Sequence, residues 1–167
     1  FKKVYQIIKE DKERKFVVPS APGKRFKEDT KVTDLLYKAY RAQNKSEFNA
    51  TFEEIKERYQ DIIDGLKLNI SLDEDFEIIK KQFVAKAGSM YAASRGEYLN
   101  GKIMAKYLGY EFVDAANVIR FNKDGSFDSE TTNELLATYL DKIERAVIPG
   151  FYGAMKMVQL LLSPAAV

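Results

Sequence analysis

The chain contains no cysteine and no histidine. It therefore has no thiol nucleophile, no imidazole base, no disulfide and none of the usual zinc ligands. Whatever chemistry it performs must run on carboxylates, hydroxyls, lysines, arginines and backbone amides. Long apolar runs are also missing: none approaches the ~18–20 residues that span a bilayer, and no signal-peptide pattern opens the chain. A cytoplasmic protein with no membrane partner is expected. Nor does one sign of charge dominate, since 27 basic residues face 25 acidic ones for a formal charge of +2. Without a broad basic field or a nucleic-acid-binding motif, no nucleic-acid partner is expected.

What is present is the composition of a globular protein, with 46% hydrophobic and 31% charged residues and no low-complexity tract. At 167 residues, one core is the working assumption. The chain opens inside a helical pattern, FKKVYQIIKE, with Phe1, Val4, Ile7 and Ile8 on one face and no capping residue before it. It closes on the apolar stretch MKMVQLLLSPAAV without a stop signal. Further segments are expected beyond both ends.

Between these ends, helical and strand patterns alternate. KFVVPSA predicts a short strand from Phe16 to Val18, buried on both faces because it does not alternate, with Pro19 at its end. Val32, Leu35, Leu36, Ala39 and Tyr40 keep helical spacing from about Thr33. Three S/T-x-x-E boxes, Thr51 to Glu54, Ser71 to Glu74 and Ser94 to Glu97, predict three helix starts. The first leads the stripe Phe52, Ile55, Tyr59, Ile62 and Leu66, and the second leads Phe76, Ile79, Phe83, Val84 and Ala87 as far as Gly88. The third leads Leu99, Ile103, Met104 and Tyr107 as far as Gly109. Strands are expected at Phe112 to Asp114, Val118 to Phe121 and Arg145 to Phe151, with a helix from Glu130 to Tyr139. Short apolar strands alternating with helices point to an α/β domain with a mainly parallel sheet. Ligands of such sheets bind beyond the carboxyl ends of the strands, which selects Ser20–Gly23, Asp114–Ala116 and Gly150–Gly153.

Each of these places has a structural and a functional reading. SAPGKR, from Ser20 to Arg25, offers a hydroxyl, close backbone approach and two cations, which suits an anion. It also suits a turn with a solvated tip, and the Walker spacing is absent. Thr33 fits either a helix N-cap or a ligand contact. Glu97 completes a capping box with Ser94, the reading its pattern favours; the missing side chain of Gly96 also leaves room for a ligand, and a carboxylate there could hold a substrate ammonium group. Gly150 to Gly153 reads first as a strand-to-loop turn.

Taken in order and at these separations, VVPSAPGKR with VTDLL, then SRGEYLNGKIMAKYLG and EFVDA, then VIPGFYGA, closely resemble the aspartokinases. The resemblance covers residues 1–154 as a partial catalytic domain, and the apolar tail 155–167 matches nothing in the family. It implies the amino-acid-kinase fold, an incomplete three-layer α/β/α sandwich with a mainly parallel sheet. It further implies transfer of the ATP γ-phosphoryl group, with Mg2+, to the side-chain carboxylate of L-aspartate in a homo-oligomeric full-length enzyme. Ser20 and Thr33 resemble residues lining the aspartate site, Glu97 the carboxylate that receives the substrate's amino group, and Gly150 and Phe151 the adjoining wall. These places are expected to converge on one pocket for a small amino diacid. The family's Lys-Phe-Gly-Gly and Arg-Gly-Gly-Ser-Asp motifs are absent from this sequence, so no catalytic, nucleotide-binding or metal-holding residue is assigned. The chain alone is expected to be inactive as a kinase. The alternative is a non-catalytic truncated piece that serves only in binding or assembly.

Overall fold

The computed structural model describes residues 1–155, so the expected tail from 156 onward lies outside the described residues. Its elements run α1 (Lys2–Lys9), β1 (Phe16–Val17), α2 (Val32–Arg41), α3 (Lys45–Gly65), α4 (Asp73–Val84), α5 (Ser89–Leu108), β2 (Glu111–Phe112), α6 (Ala115–Val118), β3 (Arg120–Phe121), α7 (Ser129–Leu140), β4 (Ala146–Val147) and β5 (Ala154–Met155). The fold class is α/β, and among the described residues the strands pair in parallel, with one isolated antiparallel bridge between Phe121 and Phe127. Where length suggested one core, the chain divides into two compact units. One comprises Phe1–Pro19 and, among the described residues, Gly101 to Met155; the other is Ser20–Asn100. The boundary falls inside α5.

The first unit holds all the described strands. β4 is central in the order β1-β4-β2, with Phe16 and Glu111 both in register with Ala146 and Val17 and Phe112 with Val147. Successive side chains of a strand point to opposite faces, and β4 follows that rule with helices on both sides. Val147 packs with Ile8 of α1 and Met104, Ala105 and Leu108 of α5, whereas Ala146 and Ile148 pack with Val113 and α6, flanked by Leu136 and Leu140 of α7. A second parallel pair joins β3 to β5, so Met155, expected to open the tail, is sheet material.

Val118, expected to open a strand, ends α6, and the burial expected of α1 and β1 also differs. Only Ile8 of the α1 stripe is buried; Phe1 and Tyr5 accompany it while Val4 and Ile7 are exposed, because the helix turns its 1-5-8 edge to the core. β1 is not buried on both faces either: it pairs on one side only, leaving Phe16 and Val18 exposed.

The second unit is helical among the described residues. Its core combines Val32, Leu35, Leu36 and Ala39 of α2 with Ile55 and Tyr59 of α3, beside a cluster in which Phe52 meets Phe76 and Phe83 edge-on at 6.0 and 6.1 Å. Offset and edge-on geometry of this kind suits the aromatic quadrupole. Of the three expected boxes, only Ser71 to Glu74 stands at a helix start, and there without the reciprocal cap. α3 begins six residues before Thr51, where Asn44 accepts the Glu47 N–H at 2.9 Å and Glu47 accepts the Gln43 N–H at 3.2 Å. Thr51 is buried inside the helix. Ser71 accepts the Asp73 N–H ahead of α4, and Val84 at that helix's end is exposed rather than inward. Ser94 lies in the second turn of α5, which starts at Ser89 just after Gly88 at φ 107°.

Gly101 in α5 shows how closely the first unit is packed. A Cβ there would stand 2.7 Å from Pro149 Cγ and 3.1 Å from Phe112 Cε2, neither of which belongs to a flexible side chain. Gly101→Ala is therefore expected to destabilise by about 1–3 kcal/mol through overpacking, despite alanine's ~1 kcal/mol advantage in helix propensity. Urea unfolding checks the sign; a more stable variant would show that the Pro149 ring yields.

Candidate functional site

In the second unit, a loop from Ser20 to Lys31 lies against α5 and is held by an unusual number of polar contacts. Buried Arg58 of α3 donates to the Gly23 carbonyl at 2.9 Å and the Thr30 carbonyl at 3.0 Å, and pairs with Asp29 at 2.8 Å. Asp29 also accepts from the Arg25 backbone N–H at 2.8 Å and from its guanidinium. These Arg25 hydrogen bonds, with the Arg58 charge, hold the Asp29 carboxyl far below its usual range. The loop is thus fixed from within, and one of its two expected anion-binding cations, Arg25, is committed to Asp29 and Asp61.

At the other end of the loop, the peptide unit joining Ser20 to Ala21 is grasped on both sides. Its N–H donates to Glu97 Oε1 at 3.2 Å, and its carbonyl accepts from Asn100 Nδ2 at 2.6 Å. Glu97 and Asn100 stand three residues apart and so share a face of α5. Gly96 makes the approach possible, because a Cβ there would meet Ala21 Cβ at 2.8 Å and Leu36 Cδ1 at 3.3 Å. Its missing side chain therefore makes room for the loop and α2, not for a ligand as the sequence suggested. Tyr59, fully buried, donates to the Gly96 carbonyl at 2.8 Å.

The position of Ser94 removes the capping reading of Glu97. Ser94 Oγ donates to the Tyr91 carbonyl at 2.7 Å and accepts from Arg95, so no capping box exists here. Glu97 is only 7% exposed, and its second oxygen, Oε2, is buried with no hydrogen-bond partner. Burial holds its pKa above the usual carboxylate value, partly offset by the Glu97 and Ala21 backbone N–H groups and the Arg95 charge. Such a group is stabilised by gaining a cationic donor.

The other expected site residues divide between the units. Thr33, half-buried in the first turn of α2, follows Val32, whose methyl lies 3.8 Å from the Cβ position of Gly96; Ser20 is exposed at the start of the loop. These two belong with Glu97 in the second unit, while Gly150 and Phe151 belong to the first. There the Gly150 N–H donates to the Pro19 carbonyl at 3.1 Å, and Phe151 is 61% exposed at φ 75°, a left-handed conformation rare for a bulky residue. Asn100 was missed. The signal for it was a polar amide one turn beyond Glu97 on an otherwise apolar helix face. A surface groove of ≈ 280 Å³ lined by Tyr40, Phe48, Phe83 and Lys86 contains none of the expected residues.

Comparison with known proteins bears on this arrangement. No family model matches the chain. The curated aspartokinase 3 of Bacillus subtilis (strain 168) is 32% identical over 171 residues, spanning 92% of this chain and 37% of that protein. The crystal structure of Clostridium acetobutylicum aspartate kinase superposes with a TM-score of 0.87 at 47% identity, covering 93% of this chain and 36% of that one.

The chain resembles part of an aspartokinase.

It spans little more than a third of these relatives' length. E. coli aspartokinase III, solved in complex with aspartate and ADP, superposes with a TM-score of 0.72 over 91% of this chain and 37% of that one; at 19% identity it speaks to the fold alone. The kinase resemblance thus rests on the two more similar relatives.

The raised Glu97 pKa has a stability consequence. The folded chain holds this proton more tightly than the unfolded chain, where the pKa is about 4.3, so its contribution is fully present below that value and lost as pH rises through the folded value. Glu97→Gln keeps an acceptor for the Ala21 N–H while removing the buried charge. It is expected to raise Tm at pH 7, with the gain shrinking towards pH 4. Thermal unfolding at both values checks this; an equal loss of Tm at both would show that the carboxylate serves packing alone.

Proposed function

We propose that the chain supplies the aspartate-binding part of an aspartate kinase. In this reading the whole enzyme moves the γ-phosphoryl group of ATP to the side-chain carboxylate of L-aspartate, giving 4-phospho-L-aspartate for lysine, threonine and methionine biosynthesis. The observation that carries it is Glu97, a buried carboxylate with one oxygen on the Ala21 N–H and the other without a partner. A substrate ammonium group offers the charge and the donors that this oxygen lacks. The fold belonging to this reading is the incomplete α/β/α sandwich of amino-acid kinases, with residues 1–154 as partial catalytic domain, in a cytoplasmic homo-oligomer.

The chemistry needs no histidine. An aspartate side chain is already ionised at neutral pH, so phosphoryl transfer depends on positioning and on neutralising charge more than on a general base. Glu97 orients the substrate by its amino end. Ser20 and Thr33 line the same site, with Ser20 set by the grip on its peptide unit. For Gly150 and Phe151 the reading is a substrate-facing turn, and the strained, exposed Phe151 suits such a role. ATP supplies the phosphoryl group. Among the described residues no group of three or more Asp or Glu side chains is arranged to hold a metal ion. Mg2+ takes one or two carboxylates with the phosphates of the nucleotide rather than an all-protein cage, so the ion would be held mainly by ATP.

A second reading, a kinase piece that binds without turnover, follows from the span of little more than a third of the relatives. ATP-dependent aspartyl hydroxamate formation tests both, run on the 167-residue chain and on Bacillus subtilis aspartokinase 3 carrying these residues in place of its matching segment. The chain alone is expected to be silent and the hybrid active. In the hybrid, Glu97→Gln should lower kcat/KM for aspartate by about 2–5 kcal/mol, roughly 30- to 5,000-fold, with the KM for ATP little changed. A loss below about 0.5 kcal/mol would remove the ammonium role.

A further inference from the structure

Asn100 is 6% exposed, and its amide is split between two states of satisfaction. Because its Nδ2 donates to the Ser20 carbonyl, its Oδ1 must be the acceptor end, and Oδ1 is buried with no hydrogen-bond partner. One turn earlier on the same face, Glu97 is in the matching condition: one oxygen on the Ala21 N–H, the other buried without a partner. A trans peptide directs its carbonyl and its N–H to opposite sides. The two side chains therefore hold the Ser20–Ala21 peptide from both edges, which fixes the plane from which the Ser20 side chain projects. Each side chain also retains one buried acceptor without a partner. Buried polar groups in folded proteins ordinarily find partners, so two unmet acceptors within a single helical turn call for a donor-rich group. A primary ammonium carries three N–H donors and no acceptor.

We propose that Asn100 is a specificity-determining residue of the aspartate site, holding the Ser20 peptide with its Nδ2 and offering Oδ1, together with Glu97 Oε2 from the same helical turn, to the substrate's α-ammonium group. This rests on the aspartate-site reading given above. Its consequence is selection of an amino diacid over the same diacid without nitrogen. A purely structural asparagine would position the loop for both ligands alike.

The test is an NMR titration of the 15N-labelled 167-residue chain with L-aspartate and with succinate, which keeps both carboxylates and lacks the ammonium. The unaltered chain is expected to prefer aspartate by at least about tenfold, or ~1.4 kcal/mol. Asn100→Leu, similar in size but without polar atoms, should erase most of that preference. Asn100→Asp, which keeps an acceptor but loses the donor to Ser20, should retain it while weakening both ligands. If the leucine variant loses its dispersed spectrum, Asn100→Ala is measured in its place with the same expectation. A preference that Glu97→Gln abolishes but the leucine or alanine variant leaves intact overturns the role of Asn100 and leaves the aspartate site standing. An unaltered chain that binds neither ligand, or both equally, overturns the site and this inference together.

Discussion

A single peptide group, between Ser20 and Ala21, is where the sequence, the packing and the proposed chemistry meet. Asn100 holds its carbonyl and Glu97 its N–H, both from one turn of α5. That grip requires the loop to approach the helix more closely than any side chain at position 96 would allow, and Gly96 supplies the room. The rest of the loop cannot drift away, because Arg58 ties Gly23, Asp29 and Thr30 to α3. Fixing a loop at both ends removes in advance the ordering entropy that a ligand would otherwise have to offset.

This rigidity comes with electrostatic tension. A carboxylate buried beside Tyr59 and the loop backbone, with one oxygen unsatisfied, is a poor choice for stability alone. Replacing such groups with better-satisfied ones commonly stabilises a protein and costs function. The contrast with Asp29 is instructive. Both are buried acids, but Asp29 collects two arginines and sits far below its usual pKa, whereas Glu97 has only weak compensation and sits above. Asp29 is finished as a structural element; Glu97 keeps one buried oxygen without a partner. Perturbed groups of this second kind mark functional sites more often than completed ion pairs do.

Much of the architecture was legible in the sequence for a plain physical reason: apolar periodicity reports burial directly. The stripe Val32, Leu35, Leu36, Ala39 located α2, and Gly109 at φ 70° marked the end of α5. The capping boxes misled because their i, i+3 spacing is also the spacing of neighbours within a helix, so Thr51 and Ser94 match the box from the helix interior. The true start of α3 uses Asn44 with Glu47, the same chemistry in an asparagine form. Glu97 could be named from motif resemblance, but the failure of its cap reading depended on where α5 begins, five residues before Ser94. Asn100 showed only as a polar amide one turn beyond Glu97, because nothing in a string of residues shows that a side chain eighty positions away reaches the Ser20 carbonyl. The division into two units was equally hidden, since its boundary lies within one uninterrupted helical pattern.

The central claim is that the Glu97 carboxylate waits for an ammonium group. It is tested most directly by following the 13C resonance of the Glu97 carboxyl carbon through a pH titration, with and without saturating L-aspartate. The account predicts a titration above the ordinary glutamate range in the free chain that moves to lower pH when aspartate binds, because a nearby cation favours the charged form. A carboxyl that titrates identically with and without aspartate would contradict it.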